Sequence, residues 1–359
     1  MSQYRNINVR SPFYTQYSSA EQFVDLELRV WIGDFTTDKP AAADYTMTKE
    51  VDNGAATFEI AELIRDIFTQ DSSLSSGFAW VEVKMSDTGD AADEYTQYLA
   101  SEGYRVYTQD LQHDGESFES DFVALPVYDQ FGNSRVFVTE NKSTVVPIYV
   151  QPQNATDWEY QTYDLSGNGN GWVQLPQTTD SSGQFKHIVV NKNHSKIEFS
   201  FDGDNTIVYI DVLDCNKYNK DGAVILQYVN KYGAKTRMPF SLKYIESIAA
   251  KSDSFQRNLT SYNGLTSGNN MHSNRKRILS AKQTFTINTD WMPEYYVAQI
   301  EELLLSEYVW ALLPTVDGNN YQPVNITTSN IAKKNHLNDK LIQFTLDLEV
   351  AVDYINSLR

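Results

Sequence analysis

The residues that could do chemistry in this 359-residue chain are scattered, and none forms a complete catalytic set. Five histidines, His113, His187, His194, His272 and His336, show no metal-ligand spacing; only His187 and His194, on either side of a turn, could meet on adjacent strands. Asp202-Gly203-Asp204-Asn205 has the look of a calcium-loop fragment without the remaining ligands or a closing Glu, so it reads as a β-turn. The run Ser166-Gly167-Asn168-Gly169-Asn170-Gly171 lacks the strand-to-helix context and the Lys-Ser/Thr of a phosphate loop, and reads as a hairpin tip. No serine stands in a Gly-x-Ser-x-Gly elbow. Asp211 and Asp214 flank a strand end, and Glu301 and Glu302 read as the exposed face of a helix; neither pair has the flanking aromatics of a sugar-cleaving cleft. Cys215 is the single cysteine, which excludes an internal disulfide and a Cys-rich zinc site and leaves it as a small buried hydrophobe. The expectation is a protein that is not an enzyme, with no cofactor and no metal. Two binding chemistries stay open. Trp158, Tyr160 and Trp172 could stack on sugars, and Arg275-Lys276-Arg277 could meet phosphates or an acidic neighbour. The triplet has only Lys282 near it and no interleaved aromatics, which favours an inter-subunit salt bridge or a solvated strand entrance over nucleic acid.

The elements that would position these residues are mostly strands. Tyr and Phe dominate the aromatic share, and Ser, Thr, Asn and Gly separate short alternating runs, the punctuation of all-β domains. Phe23 to Ile32 alternates, with Val24, Leu26, Leu28, Val30 and Ile32 on one face and Asp25, Glu27 and Arg29 on the other. Ile60, Leu63, Ile64, Ile67 and Phe68 follow a helical stripe, and Phe78 to Met85 alternates again. Gly103-Tyr104 suggests a hairpin between Tyr95–Tyr98 and Val106–Tyr107. Further strands are expected at 187–190, 197–201 and 207–213. Ala223–Val229 and Thr236–Leu242 flank Asn230-Lys231-Tyr232-Gly233, a hairpin with Gly233 free to take positive φ. At the end come a strand over 284–288, a Pro-started helix over 291–306 with Asp290 as its cap, a short strand over 324–328 and a long one over 341–352. In the last, Ile342, Phe344, Leu346, Leu348, Val350 and Val352 share one face.

Length and composition shifts divide the chain into an acidic N-terminal β-sandwich with a short helix (1–145), a small β-sandwich (146–221) and a β domain carrying the 291–306 helix (222–359). The first has 10 Lys/Arg against 25 Asp/Glu and the last 14 against 12, within a total of −18. An acidic front and a near-neutral back argue against nucleic acid as the main partner; they fit a back that is buried in an assembly, and equally the simple solubility of an acidic protein. The first residues, Met1-Ser2-Gln3-Tyr4-Arg5, carry no secretory pattern, and no stretch approaches the ~18 apolar residues of a membrane span. The segment Gln256–Asn274 carries little hydrophobic pattern, and a structureless loop of that length is usually functional.

The run Val224-Ile225-Leu226-Gln227-Tyr228-Val229-Asn230-Lys231-Tyr232-Gly233-Ala234, continuing into Met238-Pro239-Phe240, resembles a phrase found in structural proteins of tailed bacteriophages. Ser252-Asp253-Ser254-Phe255-Gln256-Arg257-Asn258, Leu303-Leu304-Leu305-Ser306, Gln322-Pro323-Val324 and Asn338-Asp339-Lys340-Leu341 extend the resemblance. In the first segment Val30-Trp31-Ile32-Gly33 and Phe58-Glu59-Ile60, leading to Leu63-Ile64-Arg65-Asp66, are similar too. The middle segment carries no such likeness. The resemblance implies a tail, tail-tip or baseplate component of a virion, assembled in the host cytoplasm. It also implies a split β-barrel with one packed helix and a ring-shaped homo-oligomer that contacts other tail proteins. Gln256–Asn274 would then be an arm ordering against a neighbour, with Asn258, Tyr262, Asn263, Arg275, Lys276 and Arg277 as candidate interface residues. A receptor- or carbohydrate-binding accessory protein is the alternative.

Overall fold

A computed structural model describes residues 5–68, 78–89, 95–104, 116–117, 122–125, 127–129, 131–140, 142–150, 158–174, 184–201, 204–213, 222–256, 274–313, 321–330 and 341–352. The fold is mainly β, with several sheets and one well-formed helix. The hairpin side expected at Val106–Tyr107, Cys215 and Asp214 lie outside the described residues.

The first unit holds β1 (Arg5–Asn8), β2 (Tyr14–Ser18), β3 (Phe23–Trp31), β4 (Tyr45–Glu50), β5 (Ala55–Glu59), α1 (Ala61–Arg65), β6 (Phe78–Asp87), β7 (Tyr95–Ser101) and β8 (Glu116–Ser117). Six of these strands form one sheet, β4-β3-β6-β7-β1-β8, and β2 pairs with β5 in a second layer. Val24, Leu26, Leu28 and Val30 meet Ala79, Val81 and Val83 in the core, and Ile60, Ile64 and Phe68 close it from the short helical stretch. The alternation in β3 is as expected up to Val30. Ile32 is exposed, because the strand ends at Trp31. Trp31 is buried on the opposite face. Glu82 is buried in mid-sheet, with Arg29 3.1 Å away and Lys39 2.7 Å away to offset its desolvation.

The second unit holds β9 (Phe122–Val123), β10 (Ser134–Thr139), β11 (Thr144–Val150), β12 (Glu159–Asp164), β13 (Val173–Gln174), β14 (Gln184–Val190), β15 (His194–Phe201) and β16 (Asp204–Leu213). A five-stranded sheet, β10-β16-β15-β12-β13, packs on a three-stranded one, β14-β11-β9. Val146, Ile148 and Val190 from one sheet meet Ile197, Phe199 and Val208 from the other. β10 pairs in parallel with β16, so residues before position 145 share a sheet with residues beyond 200, and that position itself falls within β11.

The third unit holds β17 (Val224–Val229), β18 (Lys235–Phe240), β19 (Ile245–Gln256), β20 (Asn274–Asn288), β21 (Met292–Pro293), α2 (Val297–Leu305), β22 (Val309–Leu312), β23 (Gln322–Ile326), β24 (Leu341–Ile342) and β25 (Thr345–Val350). Its main sheet runs β18-β17-β22-β23-β25-β20-β19. β18 and β19 are at opposite ends of that order, yet residues 241–244 alone join them. A flat sheet would separate its ends by six steps of about 4.8 Å, roughly 29 Å. The connection reaches at most about 18 Å. The sheet must therefore curl, and the Leu242 N–H donates to the Asn288 carbonyl at 3.3 Å across the gap. Met238 and Phe240 of β18, at one end, share a core with Phe285 and Ile287 of β20, next to the other end, and with Ile300 and Leu303 of α2.

The helix is shorter than the sequence pattern suggests. Pro293 is extended and pairs with Leu341 through β21 and β24, and residues 294–296 form a 3-10 turn before α2 begins at Val297. Asp290 caps only the next N–H, that of Trp291. β22 is an element the pattern missed. All four of its residues are buried, so it shows no alternation. The final strand alternates as expected, from Ile342 through Val350 with a break before β25, and Val352 is exposed beyond its end.

The three units meet at the turn Asn230–Gly233. The Asn230 Nδ2 donates to Ala124 O of the second unit at 2.8 Å, and the Tyr104 N–H of the first donates to Lys231 O at 2.9 Å. The Lys231 N–H reaches the Glu302 carboxylate of α2 at 3.3 Å. An aromatic cluster surrounds this turn: Trp31, Phe78 and Trp80 from the first unit, Tyr149 and Phe185 from the second, Tyr232 and Ala234 from the third. The Phe78 ring lies 4.8 Å from Phe185 and 5.3 Å from Tyr149. This is why Trp31 is buried although it sits on the face opposite the first core. A Cβ at Gly103 would stand 2.5 Å from Lys231 O, a backbone atom that cannot rotate away. Gly103→Ala should therefore destabilise the chain by about 1–3 kcal/mol, read from the urea midpoint.

Candidate assembly surface

β19 and β20 form a ribbon that outgrows its sheet. β20 pairs with β25 only over Thr284–Asn288, while the β19–β20 ladder continues to Gln256 and Asn274. The ten residues of β20 from 274 to 283 thus extend roughly 30 Å past that support. Every residue of β19 is exposed except Ser252, which is half-buried. Among the described residues the outer edge of β19 pairs with nothing. Such an edge offers unpaired N–H and C=O groups, which natural proteins normally cover or blunt.

The side chains of the ribbon are of two kinds. Ile245, Ile248 and Phe255 are large, apolar and exposed. Lys251, Arg275, Lys276, Arg277 and Lys282 outnumber Glu246 and Asp253, so the arm is positive on a chain of −18. Arg277 faces Asp253 across the ladder, and Lys282 pairs with Glu349. The sequence places Arg275-Lys276-Arg277 at a strand entrance, and the structure puts all three, exposed, at the far end of the ribbon. Asn258, Tyr262 and Asn263 lie outside the described residues. The exposed apolar side chains of β19 were not expected from sequence, and their signal is alternation too weak to mark a buried face.

The aromatic candidates separate. Trp158 is buried in the second core, its ring 5.0 Å from Phe201, which leaves no face for a sugar. Tyr160 is half-buried beside Phe199. Trp172, 44 % exposed, stands directly before β13. Asp164 accepts the N–H groups of Ser166 and Asn168 at 2.9 and 2.8 Å, which orders the Gly-rich tip and lowers the carboxyl's pKa.

The remaining polar candidates hold the fold together. His187 on β14 and His194 on β15 sit on strands of opposite sheets, not adjacent ones. Asp211 accepts Arg135 at 2.8 Å and the Tyr296 hydroxyl at 2.7 Å, tying the second unit to the third. Burial, then the Asp211 charge, push the Tyr296 phenol well above its usual range, so it remains a donor. Phe137 stacks on the Tyr296 ring at 3.7 Å. Glu302, expected on an exposed helix face, is buried because that face of α2 packs on the Asn230–Gly233 turn. Among the described residues no three His, Cys, Asp or Glu side chains converge as metal ligands would. No described helix is long and apolar enough to cross a membrane.

The split between the tryptophans can be measured. Trp158→Ala should cost about 3–5 kcal/mol in chemical denaturation, whereas Trp172→Ala should stay within about 0.5 kcal/mol of the parent. No protein-family model matches this chain, and no curated protein matches it.

Proposed function

We propose that this chain is a non-enzymatic structural protein that assembles with copies of itself into a ring, as a tail, tail-tip or baseplate component of a virion. The observation that carries the reading is the β19–β20 ribbon, with its uncovered edge, exposed Ile248 and Phe255, and basic end. A ribbon of this length is costly to leave in water and cheap to cover with another chain. A second copy is the occupant that the charges favour. The arm is positive, and residues 1–145 of the same chain carry 25 Asp/Glu against 10 Lys/Arg. Contact between two different patches is heterologous, which generates rings when the rotation closes. The resemblance of the 224–240 and 303–306 phrases to tailed-phage structural proteins agrees with this reading, as does the curled sheet with its packed helix. The virion is then its site of action, with other tail proteins as further partners.

The second reading, a receptor- or carbohydrate-binding accessory protein, now rests on Trp172 and, in part, Tyr160, since Trp158 is committed to the core.

Light scattering on the purified chain should give a mass that is a multiple of 40.9 kDa. Joint replacement of Ile248, Phe255, Arg275 and Lys276 by Glu should return it to the monomer with unchanged circular dichroism. Salt near 1 M should weaken the assembly, because exposed charge pairs are screened within about 3 Å at that ionic strength. A parent protein that stays monomeric at high concentration would sink this reading. Glycan binding that is lost in Trp172→Ala would favour the other.

A further inference from the structure

The junction between the first and third units encloses a carboxyl group that no structural pairing explains. Glu102, directly after β7, is fully buried, and neither of its carboxyl oxygens has a hydrogen-bond partner. The backbone around it is held close to the third unit: the Tyr104 N–H, two residues on, donates to Lys231 O at 2.9 Å, and a Cβ at Gly233 would lie 3.0 Å from the Glu102 nitrogen. Arg10 and Arg65 are close, and each also has a partner at the end of the third unit's helix. Arg10 donates through Nη2 to the Leu305 carbonyl at the C-terminus of α2, and its Nε is 3.9 Å from Glu307. Arg65 pairs with the same Glu307. The Nε and Nη1 of Arg10 are buried without a hydrogen bond. Two guanidinium groups of the first unit thus hold the end of the third unit's helix, where a cation also suits the helix dipole.

We propose that this junction is a proton-operated latch, in which protonated Glu102 leaves Arg10 and Arg65 on Leu305 and Glu307, and ionised Glu102 draws them away and loosens the two units. The groups facing Glu102 are Arg10 and Arg65 from its own unit and Lys235 and Tyr308 from the third. A second buried carboxyl, Glu302, lies in the same junction and faces Lys231, Glu301, Tyr104, Tyr128 and Tyr228. Desolvation outweighs the neighbouring cations at both sites and raises each carboxyl from 4.5 to about 7. Both folded values lie above the unfolded ones, so the folded state holds these protons more tightly. The stabilisation is complete below pH 4.5, declines as the pH rises toward 7 and is gone above it. The latch tightens on acidification.

Melting temperature and tryptophan emission of the full chain, followed from pH 5.5 to 8.5, test the idea, since Trp31 and Trp80 pack against Tyr232 and Ala234 beside the latch. The parent should lose several degrees and shift its emission to the red across pH 7. Glu102→Gln, which keeps the shape and cannot ionise, should flatten both curves and melt above the parent at pH 8.5. Glu302→Gln should remove part of the transition, and it serves as the second variant should Glu102→Gln fail to fold. Parent and variant curves that run parallel over the whole range would overturn the proposal.

Discussion

The three units depend on one four-residue turn. Asn230 supplies the bonds that fix it: Oδ1 accepts the N–H groups of Tyr232 and Ala234, each at 3.0 Å, while Nδ2 reaches Ala124. The amide of Asn230 thereby shapes its own turn and grips a neighbouring unit at once. Its neighbour Lys231 uses its carbonyl on Tyr104 and its N–H on Glu302. Backbone contact this close demands glycine on both sides, Gly103 in one unit and Gly233 at φ 90° in the other. Around this polar centre lie Trp31, Phe78, Trp80, Tyr149 and Phe185, which exclude water from the bonds and so strengthen them.

Legibility in the sequence followed the clarity of each element's own pattern, and β6 was legible although both of its faces are buried from Phe78 to Val83. Strands with one wet face announced themselves: β3 through Val24 to Val30, and the closing strand through Ile342 to Val350. β22 buries both faces of Val309–Leu312, and β10 packs both Val136 and Phe137, into different cores. Neither has an alternation to find. The hairpin about Asn230 and Gly233 was readable from turn chemistry alone. Its role as the meeting point was not, because that role lies in partners more than 70 residues distant. The burial of Glu302 comes from a turn 71 residues away, and that of Trp158 from strands of both sheets of its own unit, so neither is visible in the local pattern.

The candidate surface was half legible. Arg275-Lys276-Arg277 are legible as a charge run, and the stretch before them as one without hydrophobic pattern. What the sequence could not convey is that β19 stays paired with β20 along the whole of its own length while only five residues of β20 are supported by β25. A ribbon that polar, with alternate Ser, Ala, Lys and Asp, has no apolar face to reveal it. Its order comes from ladder bonds, with a bulge after Lys251 resetting the register.

On the proposed reading, the geometry of the junction decides whether the assembly closes. An arm on the third unit that reaches the acidic first unit of the next copy makes a contact between unlike patches. Such contacts form a ring only when the rotation per subunit divides a full turn; otherwise they continue as a helix. That rotation depends on the angle between the arm and the first unit within one chain, and the angle is fixed at the Asn230–Gly233 turn. Arg10 on Leu305 and Arg65 on Glu307 lie beside it and resist the same movement. A loose junction would admit a range of angles and hence mixed ring sizes or open chains. Rigid backbone contact at Gly103 is therefore a requirement of closure as much as of stability, and the protonation of Glu102 acts on both through one set of contacts.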